Sequence, residues 1–506
     1  MSILSVEFLV FLAALVLLYY LLPLKIRKWL PLTASAVFWL LGGLFGAAYL
    51  AVESALVWGA ALGIEKLKKR ESNGKLILIP VLILMFAGMM ALKEHTRIES
   101  FLLSQELEIN LNPVWPVTAP LGISYFTFQG AGYLIEVNRG KVRAEKNYLK
   151  VLLFCGFFPQ LGQGPISMWK DLFPQLDTPH RLEPQAFVEA VFRMAWGFFK
   201  KLAIADRVAS FVGPMIAHSE ELPGWLALLT ILAYTIELYA DFSGGIDIVR
   251  GAAGLIGIRL AENFRQPFFA RTVSDYWRRW HISLGAWFRT YVLYPLAVSR
   301  PGIWIGKIGK KLFDPKVGRA LPGALATLIV FILIGLWHAF HWNALLYGLW
   351  FGLLSMGAIL LEPLFKGWKK KLRITGKTKW FQAWSLLRTW LLVLFAQFFA
   401  CTASPAQAFG MMKNIFTNFA GSTIGDFSKV TFYTFDSAEW IFAGAALVIL
   451  LTVDILNEHV KDFPQKAAGS KLILRWPLLM LLMLSVLIFG RYGVGYDASA
   501  FVYAGF

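Results

Sequence analysis

Apolar runs recur along this chain from residue 3 to residue 490, separated by short polar connectors. The clearest are Ile3 to Leu22, Leu76 to Leu92, Leu321 to Ala339, Leu345 to Leu361 and Trp476 to Gly490. Runs of about 17–25 apolar residues match the hydrocarbon thickness of a bilayer when helical. In lipid every backbone polar group must be satisfied within the protein, so helices are the expected spanning element. The pattern predicts an all-α fold: a polytopic integral membrane helical bundle. Two stretches depart from uniform spans. Ala119 to Leu134 (APLGISYFTFQGAGYL) and Phe157 to Ile166 (FFPQLGQGPI) carry Gly and Pro inside short apolar runs, which predicts re-entrant or broken helices. Residues 1–506 read as a single membrane domain, with N-terminal spans over 1–114, a core over 115–362 and C-terminal spans over 363–506. The first run has no basic residue ahead of it and no small-residue cleavage site after it, so it reads as a retained span.

Charge placement adds a topology. Lys25, Arg27 and Lys28 follow the first run, and Lys66 to Lys75 follow the pair Leu30 to Phe45 and Ala47 to Ile64. The connector after Leu92 is instead richer in Glu94, Glu99, Glu106 and Glu108. Basic loops favour the cytoplasm, so the amino terminus is expected outside. Carried forward, Arg139 to Lys146, Arg300 to Arg319, Lys366 to Lys379 and Glu458 to Arg475 fall inside, and the carboxyl terminus falls outside. The runs Leu321 to Ala339 and Leu345 to Leu361 then form a hairpin whose tip, HAFHWN, points away from the cytoplasm. The net charge of +18 is confined to these connectors, so no nucleic-acid partner is inferred. The expected location is the cell membrane, multi-pass, with membrane lipids as the surrounding partner. The 20 Trp and 16 Tyr suit its interfaces. Cys155 and Cys401 lie far apart in or beside apolar runs and are assigned to packing.

Against this background the ionisable residues within apolar stretches stand out, since a full charge at bilayer depth costs roughly 2.5–3.5 kcal/mol or more. His338 ends the greasy run of ILIGLWHAFHWN, and His281 closes WRRWH. A neutral imidazole is cheaper to bury and exchanges a proton near neutral pH. For His338 the readings are an interfacial helix cap or a base that reaches a hydroxyl from the outer side. For His281 they are an aromatic-basic belt or a polar residue facing a cytoplasm-connected cavity. In the second case Arg278 and Arg279 would lie near an anionic donor, because guanidinium forks suit phosphates. His341 shares a helix face with His338 if the helix continues, but no further ligand lies at local spacing, so no metal is expected. Glu237 and Asp241, four apart, read as one helical face holding a cavity together, with Gly244–Gly245 inviting a break.

Several strings taken together resemble the membrane-bound O-acyltransferase superfamily. They are PLGISYFTFQ (120–129), YLIEVNRG (133–140), FFPQLGQGPI, YADFSGGIDI (239–248), the stretch 263–296 around WRRWH, and GLWHAFHWNALLYGLWFG (335–352). The ending GYDASAFVYAGF also looks familial. The similarity is greatest to the branch of alginate and peptidoglycan O-acetyltransferase membrane subunits and the D-alanyl transfer protein of teichoic acids. The resemblance implies a helical bundle around a transmembrane tunnel, with the histidine of GLWH, here His338, as catalytic residue and that of WRRWH, here His281, as the second key polar residue. Trp277, Trp337 and Asn343 are expected in the tunnel wall with Glu237 and Asp241. It implies transfer of an acyl group, acetyl in the favoured branch, to hydroxyls of an extracytoplasmic or cell-wall polysaccharide. The donor is a thioester co-substrate, acetyl-CoA or an acyl carrier protein, with no bound cofactor. A secreted or membrane-anchored esterase-like partner is expected in the acetyl branch. D-alanyl transfer to teichoic acid and, outside the family, a transporter or flippase are the alternatives. The chain departs from the family at Ala339, Phe340 and His341, where GLWH is often followed by a small residue, and at Gly162-Gln163-Gly164, where relatives often carry a bulkier pair.

Overall fold

The computed structural model describes residues 1–104, 119–376, 378–420, 436–460, 463–493 and 496. Glu106 and Glu108, the centre of the segment Thr402 to Glu439 and all but one residue of the ending 495–506 lie outside the described residues. The chain is all-helical, and among the described residues eight helices are long and apolar enough to cross a membrane. They include α1 (Lys75–Lys93), α2 (Gly224–Gly254), α3 (Pro315–His338), α4 (Trp342–Leu360) and α5 (Lys379–Cys401). The first run forms a shorter apolar helix, Val6–Leu21.

Helix α2 is the mast of the bundle. In its most apolar window 72% of residues are buried, against 6–39% for the other seven spans, so it is surrounded by protein and the rest face outward. It runs unbroken for 31 residues, and the break expected at Gly244–Gly245 does not occur. Those glycines serve close approach instead. A Cβ on Gly244 would come within 2.9 Å of the Gly197 carbonyl, and one on Gly245 within 2.9 Å of Gln163. Without a hydrophobic force between helices in lipid, such small-residue contacts are what let backbones pack.

Of the two irregular stretches, one is broken and one is not. Tyr148–Gly156 ends, a single turn Phe158–Leu161 follows, and the chain then runs through a turn at 162–163 and without helix to Met168. By contrast Ile123–Arg139 is one continuous helix. Its Gly130 and Gly132 lie against Val57 and the Tyr291 ring, so here too glycine marks contact and not interruption.

Helices α3 and α4 form the expected hairpin. Asp314 caps the start of α3 through the Lys316 amide (2.8 Å), and the His341 side chain caps α4 through the Ala344 amide (3.2 Å). Gly335 lies against the Ala344 carbonyl with no room for a Cβ. Next to α2, residues Phe199–Ala205 adopt a π-helix, a widened turn common near functional sites. It turns both Lys200 and Lys201 inward to a buried charge network. Lys201 Nζ donates to Asp241 (2.6 Å) and pairs with Asp206 (2.8 Å), while Lys200 pairs with Asp247 (2.7 Å) and donates to Ser243 (2.9 Å).

Candidate active site

His338 is the last residue of α3, and Ala339 leaves the helix in an extended conformation. Its helix end is held from outside the hairpin. Lys93 Nζ, at the end of α1, donates to the carbonyls of Trp337 (2.7 Å) and His338 (3.2 Å) and lies 5.3 Å from the Trp337 ring centre. The neighbouring Glu94 accepts from the Phe340 amide (3.0 Å) and pairs with Arg97 (2.9 Å). The last carbonyls of a helix have no partner within it, and a lysine and a carboxylate from one dipeptide therefore clasp both sides of the turn that carries His338.

His281 sits at the corner between two short helices, Val273–Arg279 and Ile282–Phe288, in the left-handed region (φ 47°). A non-glycine residue there costs about 1–2 kcal/mol. The corner is fixed by pairing with the segment 263–265: Arg265 N–H donates to Arg279 (2.9 Å) and Ile282 N–H to Asn263 (3.0 Å). The Asn263 side chain sets the imidazole. Its Oδ1 accepts from the Ser283 amide (3.0 Å) and hydroxyl (2.8 Å), which identifies it as the oxygen, and it faces His281 Nδ1 at 3.3 Å. Nδ1 is therefore the protonated nitrogen, and a neutral His281 carries its lone pair on Nε2.

Both histidines line one chamber of about 480 Å³. Its walls come from α2 (Tyr234, Leu238), the His281 corner (Trp277, Trp280), the hairpin and the stretch Phe399 to Ala403 with Gln407. Sequence reading separates the histidines along a path; the structure puts them in the same space. The Trp337 ring stands beside both, 6.3 Å from the His281 ring and 4.5 Å from that of His338. Trp277 also lines the chamber, and its buried indole N–H has no hydrogen-bond partner among the described residues. Such a donor suits an oxygen of a bound molecule.

The remaining expected residues divide. Asn343 is buried and donates to the Thr402 carbonyl (2.6 Å), fixing the chamber wall from behind. Asp241 is held by Lys201, and Glu237 is buried one turn away; neither lines the chamber. Arg278 is exposed. Arg279 is not presented to a donor phosphate: its fork grips Glu458 at 2.7 and 3.1 Å, and its Nε lies 3.3 Å from Asp275. Glu458 is distant in sequence, so no local pattern signals this pairing. His341 is occupied as a helix cap through Nδ1. Among the described residues no group of three or more His, Cys, Asp or Glu is placed to hold a metal ion.

No local pattern in the sequence marks Lys93, Asn263, or Tyr347 and Gln407, which both line the chamber. Sequence reasoning also missed the paired lysines of the charge network, although their signal is visible: two adjacent lysines inside the apolar run FFKKLAIA.

Residues 139–303 match the model of MBOAT, the membrane-bound O-acyltransferase family. The matched segment contains His281, and His338 lies beyond it. The chain is 32% identical to the probable alginate O-acetylase AlgI of Azotobacter vinelandii over 340 residues, 66% of this chain and 64% of that protein. It is 28% identical to the teichoic acid D-alanyltransferase of Bacillus subtilis over 290 residues, 56% and 69% of the two chains. It is 29% identical to the peptidoglycan O-acetyltransferase of Helicobacter pylori over 277 residues, 48% and 49%. The matches to the alginate O-acetylases span 42–64% of those proteins' length.

Proposed function

We propose that this chain is a membrane-bound O-acyltransferase that passes an acetyl group from a cytoplasmic thioester donor to hydroxyls of an extracytoplasmic polysaccharide, directly or through an esterase-like partner outside the membrane. The observation that carries this reading is the shared chamber: His281 and His338 face one space, also lined by the cap residue His341, whose walls are otherwise mainly apolar and aromatic. Acyl transfer to a hydroxyl needs a base at the attacking oxygen and a dry, oriented carbonyl. General-base help contributes about 10²–10⁴-fold, and orientation adds to it.

In this mechanism His338 takes the proton from the acceptor hydroxyl as its oxygen attacks the thioester carbonyl. The carbon–sulfur bond then breaks, the thiolate leaves, and a proton returns to it. His281, fixed by Asn263 as the Nδ1–H tautomer, presents Nε2 to order the donor or a proton in transit. The indole N–H of Trp277 is a candidate donor to the carbonyl oxygen as negative charge builds there.

The accompanying orientation places both termini and the hairpin tip outside and the basic loops in the cytoplasm. The contact between Lys93 and the end of α3 supports it in part, because two spans that leave basic loops reach the same level. The likeness to the alginate O-acetylases favours acetate over D-alanine.

The test is to supply the purified full-length chain with a labelled acetyl thioester in detergent, with and without polysaccharide. Thiol release or label transfer, lost in His338→Ala, is expected. Turnover of a D-alanyl carrier-protein thioester in place of the acetyl donor would move the reading to D-alanyl transfer. No thioester chemistry, with solute movement in liposomes, would move it to a transporter.

A further inference from the structure

Two short helices bracket the base of the catalytic hairpin. One, Arg300–Leu312, precedes α3, and the other, Glu362–Lys371, follows α4. Since α3 and α4 are antiparallel, both lie at the end away from His338. At 1.5 Å per residue, the 24-residue α3 and 19-residue α4 extend about 36 and 28 Å, close to the ~30 Å hydrocarbon thickness. The helices therefore sit one membrane thickness from the hairpin tip, at the depth of a headgroup layer.

Their faces are sorted to match. On the first, Gly302, Gly306 and Gly309 form a buried stripe, the glycines at 306 and 309 lying against Pro322, Gly318 and Leu321 of α3. Helical spacing puts Trp304, Ile308 and Leu312 on one of the remaining arcs and Lys307, Lys310 and Lys311 on the other, with the exposed Ile303 among the lysines. Trp304 and Leu312 are exposed, Trp304 by 62%, and Ile308 is half-buried, so among the described residues most of that apolar arc is uncovered. On the second, Leu361, Leu364, Phe365, Trp368 and Leu372 share one face and are all exposed, Trp368 by 61%. The other face carries Lys366, paired with Glu362 (2.8 Å), the exposed Lys370, and Lys369 over the Phe381 ring (5.0 Å), while the exposed Lys371 flanks the apolar face at its edge.

A helix with one apolar face and one lysine-rich face lies in the plane of a membrane surface and gains further from anionic lipid. We propose that these two helices form a collar that binds anionic phospholipid headgroups at the base of the hairpin, with Trp304 and Trp368 in the acyl boundary. Depth, apolar exposure and charge all select a lipid surface, and the inference holds whether or not the chain is an acyltransferase.

The test uses the full-length chain with Cys155→Ser and Cys401→Ser, labelled at Leu364→Cys or Trp304→Cys with an environment-sensitive fluorophore. It is placed in nanodiscs of phosphatidylcholine alone or with phosphatidylglycerol. Emission shifted to the blue by phosphatidylglycerol, a shift that shrinks in high salt and is lost at position 304 in Lys307→Gln/Lys310→Gln/Lys311→Gln, is the expected result. The label at 364 in that triple variant should keep its response, which checks the fold. A label in water in both lipids would overturn the proposal and leave the face to an aqueous protein partner. An equal blue shift in both lipids, indifferent to the lysines, would overturn it as an anionic-lipid site.

Discussion

Lys93 and His338 stand 245 residues apart in sequence, yet the lysine ammonium donates to the histidine's own backbone carbonyl at 3.2 Å. With the bond to Trp337, it fixes the turn on which the proposed base is mounted. A displacement of about 1 Å at a reacting group can cost about 10²-fold. Lys93→Met is therefore expected to lower kcat about tenfold or more with little change in KM, and Lys93→Arg should recover part of the loss. Unchanged kcat in Lys93→Met, measured by thioester turnover, would show that the clasp does not position His338.

The base itself gives a sharper expectation. His338→Ala should leave a folded, membrane-inserted protein with acyl transfer lowered by at least about 10²-fold. His341→Ala should cost much less, because that ring caps α4 and does not act as a base in this scheme. Chelators should have no effect. Inactivation by a chelator, reversed by zinc, would instead make the two histidines a metal site.

How far these elements were readable follows from the range of the interactions that make them. Hydropathy is local, so the spans, the hairpin and the two histidines set in apolar stretches, His281 and His338, were legible. Glycine was misread at Gly244–Gly245 and Gly130, because a missing Cβ is compatible with a break or with a close neighbour, and only the tertiary partner decides. Arg279 looked available for phosphate because Glu458 is nowhere near it in the chain. The Lys93–Glu94 clasp is invisible for the same reason, and Glu94 read only as part of an acidic loop. Lys200 and Lys201 were legible in principle, since adjacent lysines in an apolar run require buried acids.

That network yields a ranking of variants. Lys201 is 1% exposed and serves two carboxylates, Asp241 and Asp206. Lys201→Met removes the cation shared by the buried Asp241 and the half-buried Asp206. Asp241→Asn keeps the Lys201–Asp206 pair. Breaking a buried pair by removing one partner costs about 3–5 kcal/mol. Lys201→Met should reach that range and Asp241→Asn should fall below it, read as loss of monodisperse protein on heating in detergent. The reverse order would mean that Asp206 is not a true partner.

His341 predicts a pH effect. Its Nδ1 accepts from the Ala344 amide, so the cap needs the neutral ring. Burial first, and then the nearby Arg97, hold its pKa below the ordinary value. An unfolded chain binds this proton as pH falls through about 6.5, while the folded chain resists it. Stability from this residue is thus full above that range and declines as pH falls toward the folded pKa. His341→Asn supplies a cap that does not titrate. The difference in thermal stability between wild type and His341→Asn should shift in favour of the variant between about pH 7.5 and 5. A difference independent of pH would remove the cap from the account.

The orientation of the hairpin can be read by labelling, and the structure dictates where. Asn343 at the tip is 1% exposed and bonded to Thr402, so a cysteine there would break a wall of the chamber. Trp342 beside it is 71% exposed, and Lys310 at the opposite end of α3 is also exposed. In a background lacking Cys155 and Cys401, Trp342→Cys should react with an impermeant thiol reagent added outside intact cells. Lys310→Cys should react only after the cytoplasmic face is opened. Basic residues cluster at the Lys310 end, and the positive-inside bias places that end in the cytoplasm. Labelling of both positions from one side would mean that α3 does not cross the membrane, and a path from a cytoplasmic donor through the chamber to an outer acceptor would fall with it.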